Sequence, residues 1–306
     1  MKLSNIGEFG LIDRIAKREP RLPSTIIGIG DDAAVLQMTN EGKYLLITTD
    51  TLIENVHFKR KGASFFRLGQ KALAANISDI AAMGGWPAHA LVTVGVPKTM
   101  SVKAIDELYR GINALARKQK IDIIGGDTVA SPKEIVISIT LLGEVEKANL
   151  LLRSTARVGD LICVTGKFGG PAAKGYPSHY ALRVTLFQEA RALAKSGLAT
   201  AMIDSSDGLV RSILEICKAS RVGAVVYESE VPVARGASLA QALHGGEEYE
   251  LVFTIPAKNI RKLKKVLGRT KVSIVGDICP RKSGVNLLDK HGRIKEIKSG
   301  GYEHFK

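Results

Sequence analysis

Residues 72–83 read Ala-Leu-Ala-Ala-Asn-Ile-Ser-Asp-Ile-Ala-Ala-Met, with Asn76, Ser78 and Asp79 set among small or apolar neighbours. At helical periodicity that run is apolar nearly all round, and a helix of that kind is buried. Ser64 is a plausible N-cap for a helix running to Gly84. Asn76 and Asp79 are three apart and share a face. An unpaired carboxylate buried there would cost several kcal/mol, on the order of the known penalty for a lone buried charge, and a bound cation would remove that cost.

Working outward, short β-branched runs at Ala33–Met38, Tyr44–Thr48, His89–Val96, Ile121–Ile124 and Ile135–Val145 read as strands. Helices are expected at Glu8–Arg18, stopped by Pro20, and at Val102–Gln119. A second half restarts with strand Asp160–Thr165. Helices follow near Leu182–Lys195, Leu209–Ala219 and Ala257–Leu267, with strands at Ala224–Glu228, Glu250–Ile255 and Lys271–Val275. The class is mixed α/β, in two domains, 1–147 and 148–306, with the boundary near Lys147–Arg153. No internal repeat is present, which excludes solenoids and propellers.

The 306 residues are 45% hydrophobic and 24% charged, ordinary globular values. Three scattered cysteines without a C-x-x-C argue against a disulfide framework or structural zinc and suit a reducing cytoplasm. Glu8 and Asp13 interrupt any signal-peptide core, and no apolar run is long enough to span a bilayer. The net charge of +14 comes from short clusters without interleaved aromatics, so nucleic acid is not the expected partner. Steering of small phosphorylated substrates fits as well.

The chemistry is written in aspartates. Gly28-Ile-Gly-Asp-Asp32, Thr48-Thr-Asp50, Asn76-Ile-Ser-Asp79, Gly125-Gly-Asp127, Asp204-Ser-Ser-Asp-Gly208 and Gly245-Gly-Glu-Glu248 set acids beside glycines or small polar residues. Most follow an apolar run, which puts the acids at strand ends, where loops carry function. Singly, each is an Asx-turn. Together, Asp31, Asp32, Asp50, Asp79, Asp127, Asp204 and Asp207 are an all-oxygen donor set with no His/Cys companions, which selects hard cations such as Mg²⁺. Several Mg²⁺ imply a highly anionic ligand, and the glycines would let backbone N–H groups approach phosphate oxygens. The G-x-x-x-x-G-K-[ST] loop and the protein-kinase motifs are both absent, so a bound ATP would need another architecture.

In order along the chain, GIGDDAAVL, TTDTLIENVHF, KALAANISDIAAMGG, IGGDT, DSSDGL, GGEEYELVFT and GYEHF resemble the thiamine-monophosphate kinase family. That family belongs to the aminoimidazole-ribonucleotide-synthetase-like superfamily of ATP-binding proteins. The resemblance runs from Glu8 to Phe305. It implies an N-terminal domain that dimerises through its sheet into a homodimer, and a C-terminal α/β domain that completes the site. The implied reaction turns ATP and thiamine monophosphate into ADP and thiamine diphosphate. It implies that Asp32, Thr48, Thr49, Asp50, Asp79, Asp127, Asp204 and Asp207 hold Mg²⁺, directly or through water. Tyr109, Gly125, Gly126, Arg153 and Ser206 would contact ATP, and His57, Glu247 and Tyr302 the thiamine phosphate. Without the resemblance, His57 reads equally well as packing and Arg153 as a surface arginine.

The chain departs from the family pattern in two places. The stretch Gly166–Tyr180 lacks the usual Gly-Asp-Ser-x-Ala-Gly-Leu and the later His-x-Arg-Pro, and Gly-Gly-Glu-Asp becomes Gly245-Gly-Glu247-Glu248. Both fall on the substrate side. A different small phosphorylated or amide acceptor, or a non-catalytic nucleotide-binding protein on this fold, are the alternatives. The ending His304-Phe305-Lys306 and a first cysteine as late as Cys163 argue against hydrogenase-maturation and selenophosphate-synthase relatives.

Overall fold

A computed structural model of the chain describes residues 2–17, 22–37, 42–175 and 186–305. The first half runs α1 (Leu3–Ala16), β1 (Thr25–Ile27), β2 (Ala34–Gln37), β3 (Lys43–Ile53), α2 (Phe65–Ala82), β4 (Trp86–Val96), α3 (Val102–Gln119), β5 (Asp122–Ala130) and β6 (Val136–Glu146). Its six strands form one sheet in the order β1-β2-β3-β6-β4-β5, antiparallel except for the parallel β4–β5 edge that the α3 crossover makes. Alternation decides which face is covered. Ile137, Ile139 and Leu141 of β6 and Val92 and Val94 of β4 are buried under the helices. Thr49 and Thr51 of β3 and Leu91 of β4 point to the other, open face.

Helix α2 starts at Ser64, whose hydroxyl accepts the Arg67 N–H. It crosses α3 at glycine contacts. A Cβ at Gly69 would stand 2.0 Å from the Leu108 carbonyl oxygen, and one at Gly111 1.9 Å from that of Phe66. Across this contact α3 presents Leu108, Ile112 and Leu115, buried at helical spacing. Each such side chain contributes about 1.5–3 kcal/mol of burial.

The second half runs β7 (Asp160–Thr165), α4 (Gly170–Ala173), α5 (Leu186–Ser196), β8 (Ala201–Asp204), α6 (Leu209–Ser220), β9 (Gly223–Tyr227), α7 (Leu239–His244), β10 (Leu251–Pro256), α8 (Ile260–Leu267), β11 (Val272–Cys279), β12 (Val285–Leu288) and β13 (Ile294–Glu296). The sheet order is β13-β12-β9-β11-β7-β10-β8. Helices α6 and α7 pack with one core. Helices α5 and α8 pack with another, which Ala81 of α2 joins. Ile77 and Ile80 belong to the core of the first half, so α2 is shared by both halves. Among the described residues, no helix is long and apolar enough to cross a membrane.

Helices at Val102–Gln119 and from Ser64, and strand Asp160–Thr165, are where the sequence puts them. Two readings are corrected. Thr48-Thr49-Asp50 lies in the middle of the 11-residue β3, and Gly125-Gly126-Asp127 lies inside β5, so neither segment is a loop at a strand end. Strands β8, β12 and β13 and helix α7 have no counterpart in the sequence reading; they are only three to six residues long. Residues 176–185, which include part of the divergent stretch after Gly166 and the expected start of α5, lie outside the described residues, as do Arg18, Pro20 and Met38.

Candidate active site

Three carboxylates from three parts of the chain converge. Asp32 follows the glycine turn ahead of β2, Asp79 sits in the last turn of α2, and Asp204 ends β8. One oxygen from each lies within 4.8 Å of the others. Each has a partner that fixes it. Thr48 Oγ1 donates to Asp79 Oδ2 at 2.5 Å, Ser78 Oγ to Asp204 Oδ2 at 2.6 Å, and Arg153 Nη2 to Asp32 Oδ1 at 2.6 Å. Arg153 also donates its backbone N–H to Asp31 Oδ2 at 3.1 Å. Asn76, fully buried, accepts the Asp50 N–H and ties α2 to β3.

Burial, and then crowding by neighbouring charges, raises the pKa values of Asp79, Asp204, Asp50 and Asp207. Burial, then the charges of Asp50, Asp204 and Asp32, pushes Asp79 well above the ordinary carboxylate range. Asp204 rises for the same reason, burial first and then Asp32. Burial and Asp32 lift Asp50 to about 6. Burial, and next Glu8, lift Asp207 to about 7. Burial alone would lower Arg153, but Asp32 and Asp31 outweigh it and hold the guanidinium charged. The Asp32 Oδ2 atom is buried with no hydrogen-bond partner. Three converging carboxylates, one with an orphaned oxygen and two with sharply raised pKa values, fit a hard divalent cation better than they fit one another.

Beside the cluster a cleft of about 680 Å³ opens between Gly28–Ala34, Thr48 and Thr49, Arg153, Asp207 and the Lys218 end of α6. At its far side the 300–305 segment straps across α1. Glu8 donates its N–H to Glu303 at 3.0 Å and accepts that of His304 at 3.1 Å. Tyr302 N–H bonds the Asp207 carbonyl at 2.9 Å. The His304 ring lies 5.1 Å from His57 and 5.0 Å from Tyr302. Lys71, 2% exposed, donates to the His57 carbonyl at 3.1 Å and pairs with Glu247.

The sequence-derived candidates therefore fall into three groups. Asp32, Asp79 and Asp204 form the cluster, Thr48, Asp50, Asp207 and Arg153 lie around it, and Ser206 follows two residues after Asp204 with its carbonyl accepting the Glu247 N–H. His57 and Glu247 gather beside the strap that carries Tyr302. Gly125, Gly126 and Asp127 of β5 do not reach the cluster within one chain, and Tyr109 of α3 packs against the core of the first half. Gly126 shares a cross-strand row with Val92, Ile139 and Asp50, three strands away, about 14 Å at the usual strand spacing. Thr49 faces the open side of the sheet, bonded to Thr140 at 3.1 Å. Sequence reasoning missed Lys71, Ser78 and His304. A lysine next to a run that reads as buried was the available signal for the first.

The description "AIR synthase related protein, N-terminal domain" matches residues 30–145, and the corresponding C-terminal domain matches residues 157–287. The thiamine-monophosphate kinase of Bacillus subtilis is 37% identical over 98% of this chain and all of its own length. The structure of AaThiL complexed with AMPPCP and TMP superposes with a TM-score of 0.80 at 30% identity, covering 99% of both chains. The thiamine-monophosphate kinase of Stenotrophomonas maltophilia gives 0.71 at 33% identity, over 92% of this chain and 96% of that one. The chain belongs to the thiamine-monophosphate kinase family, among the AIR synthase related proteins.

Proposed function

We propose that the chain transfers the terminal phosphoryl group of ATP to thiamine monophosphate, giving ADP and thiamine diphosphate. The observation that carries the reading is the meeting of Asp32, Asp79 and Asp204 beside a cleft, in a fold that matches a relative complexed with AMPPCP and TMP. The acceptor is a phosphate oxygen, already anionic at neutral pH. No strong general base is required, and repulsion between the two phosphates is the barrier to overcome. Catalysis then rests on positioning and charge neutralisation.

Asp32, Asp79 and Asp204, with Asp50 and Asp207 close by, would hold Mg²⁺. Bound there, the ions would supply the positive charge that lets two phosphates approach. The chain's own residues arrange this. Thr48 and Ser78 orient two of the carboxylates, and Arg153 balances Asp32 and Asp31. His57, Glu247 and Tyr302 form the acceptor side, where an aromatic ring against a thiazolium or pyrimidine is a favourable contact. Ser206 and Arg153 would serve the nucleotide.

The open face of the first sheet supports the homodimer. It carries Leu91 and the exposed β5 edge with Ile124 and Val129, a pattern suited to a second copy of the chain. In that arrangement Gly125, Gly126 and Asp127 would face the partner's site rather than their own. A cytoplasmic setting completes the proposal.

The test is incubation with ATP, Mg²⁺ and thiamine monophosphate, with the products resolved by chromatography. Thiamine diphosphate and ADP are expected, and both should disappear on chelation. ATP binding without thiamine diphosphate would overturn the reading in favour of another acceptor or a binding role.

A further inference from the structure

Lys71 has no part in the chemistry above, yet it is a buried lysine inside the helix that carries Asp79. Its ammonium donates to the His57 carbonyl at 3.1 Å and pairs with Glu247 of the second half, 8% exposed. Burial lowers its pKa, and Glu247 opposes that shift. A buried ion pair is a poor source of stability, since desolvation offsets most of the attraction. A methionine or leucine would suit a position whose neighbours on the helix, Leu68, Ala72 and Leu73, are buried and apolar.

What the pair holds is a strained loop. Glu247 and Tyr249 have φ of +66° and +52°, left-handed values that side chains other than glycine rarely adopt. The loop is kept there by Glu247 N–H to the Ser206 carbonyl at 2.6 Å and Tyr249 N–H to that of Ser205 at 2.8 Å. Strain of this kind persists where surrounding contacts over-determine it, and it gathers at functional sites. Lys71 adds a tie from the opposite half of the molecule.

Seven residues after Lys71, on the same side of α2, Ser78 makes the second tie across the halves, to Asp204. Seven residues at 1.5 Å of rise separate the two ties by about 10 Å. We propose that Lys71 is a positioning residue that uses its ion pair with Glu247 and its bond to the His57 loop to hold the acceptor pocket at a fixed distance along α2 from the acid cluster. This rests on the thiamine-phosphate reading of that pocket.

The test compares wild type with Lys71→Met, Lys71→Gln and Lys71→Arg by steady-state kinetics in both substrates and by calorimetric binding of thiamine monophosphate. Thermal melting establishes that each variant folds. Lys71→Met should raise the KM for thiamine monophosphate at least about tenfold while the KM for ATP stays within about twofold. Lys71→Arg should restore most of the loss. Lys71→Gln, which keeps donors but drops the charge, carries the test if Lys71→Met does not fold. An unchanged KM for thiamine monophosphate in a folded variant, or equal losses for both substrates, overturns the proposal while wild-type turnover leaves the function standing. A wild type that neither binds nor converts thiamine monophosphate removes both.

Discussion

Ser78, on a helix packed under the first sheet, donates a 2.6 Å hydrogen bond to Asp204, at the end of a strand in the second. The acid cluster thus exists only while the two halves are docked, and the hydroxyl is what aims the carboxylate from the far side. Removing an orienting partner of this kind costs about 10–100-fold in metal affinity. Ser78→Ala should therefore raise the Mg²⁺ concentration for half-maximal activity by that factor, with little change in melting temperature. A Mg²⁺ titration at fixed ATP reads it directly, and an unshifted curve would reject the role given to Ser78.

Asp79→Asn should act in opposite directions on stability and activity. In the metal-free protein Asp79 lies among Asp50, Asp204 and Asp32, and burial first, then the repulsion of those charges, raises its pKa well above the ordinary carboxylate range. An amide of the same shape removes a charge from that crowd, so the metal-free variant should gain on the order of 1 kcal/mol, about 2–4 °C in Tm. Mg²⁺-dependent turnover should fall at least about a hundredfold. Thermal melts in chelator, paired with product assays, decide it. A variant that is both active and no more stable would show that Asp79 is neither crowded nor a ligand.

The readable part of the site was its chemistry, and the hidden part was its geometry. Asp32, Asp79 and Asp204 stood out because oxygen donors beside glycines and inside an apolar helix have few structural uses. That Thr48-Thr49-Asp50 and Gly125-Gly126-Asp127 are strand interiors did not follow, because glycine and aspartate are poor strand formers and propensity favours loops. The β3 segment overrides that preference by pairing with β6, whose ladder runs the full length of the strand, while the pairing with β2 stops at Ile47. At β5 the override comes from one-sided pairing with β4 and from the α3 crossover. Lys71 stayed hidden because its partner, Glu247, lies 176 residues away in sequence.

Arg191 of α5 covers the indole of Trp86, the chain's single tryptophan, with its guanidinium 3.8 Å from the ring centroid. The same side chain bonds the Gly84 carbonyl at 3.2 Å and pairs with Glu146 at 3.6 Å. This clamp joins the second half to the first. Arg191→Ala should lower stability by about 1–2 kcal/mol, the range for a partly desolvated cation–π contact. Because nothing else in the chain carries an indole, the emission of Trp86 should shift to the red in the variant. Urea unfolding followed by tryptophan fluorescence gives both quantities at once. An unchanged midpoint and emission maximum would mean that the clamp contributes nothing.

His57 makes the protein's response to acid testable. Its Nδ1 accepts the Ile53 N–H at 3.0 Å, and burial, followed by His304 and Lys71, lowers its pKa from 6.5 to about 4. The folded state therefore prefers the neutral ring. Between about pH 4 and 6.5 the unfolded chain binds the extra proton and the folded chain does not, so stability rises with pH across that window. The contribution is complete above pH 6.5 and is lost as pH falls towards 4. His57→Gln has no proton to take up, so its urea midpoint should depend less steeply on pH in that interval. Above pH 7 the difference between wild type and variant should be constant. Parallel profiles for the two proteins from pH 4 to 6.5 would show that the ring titrates alike in the folded and unfolded chain.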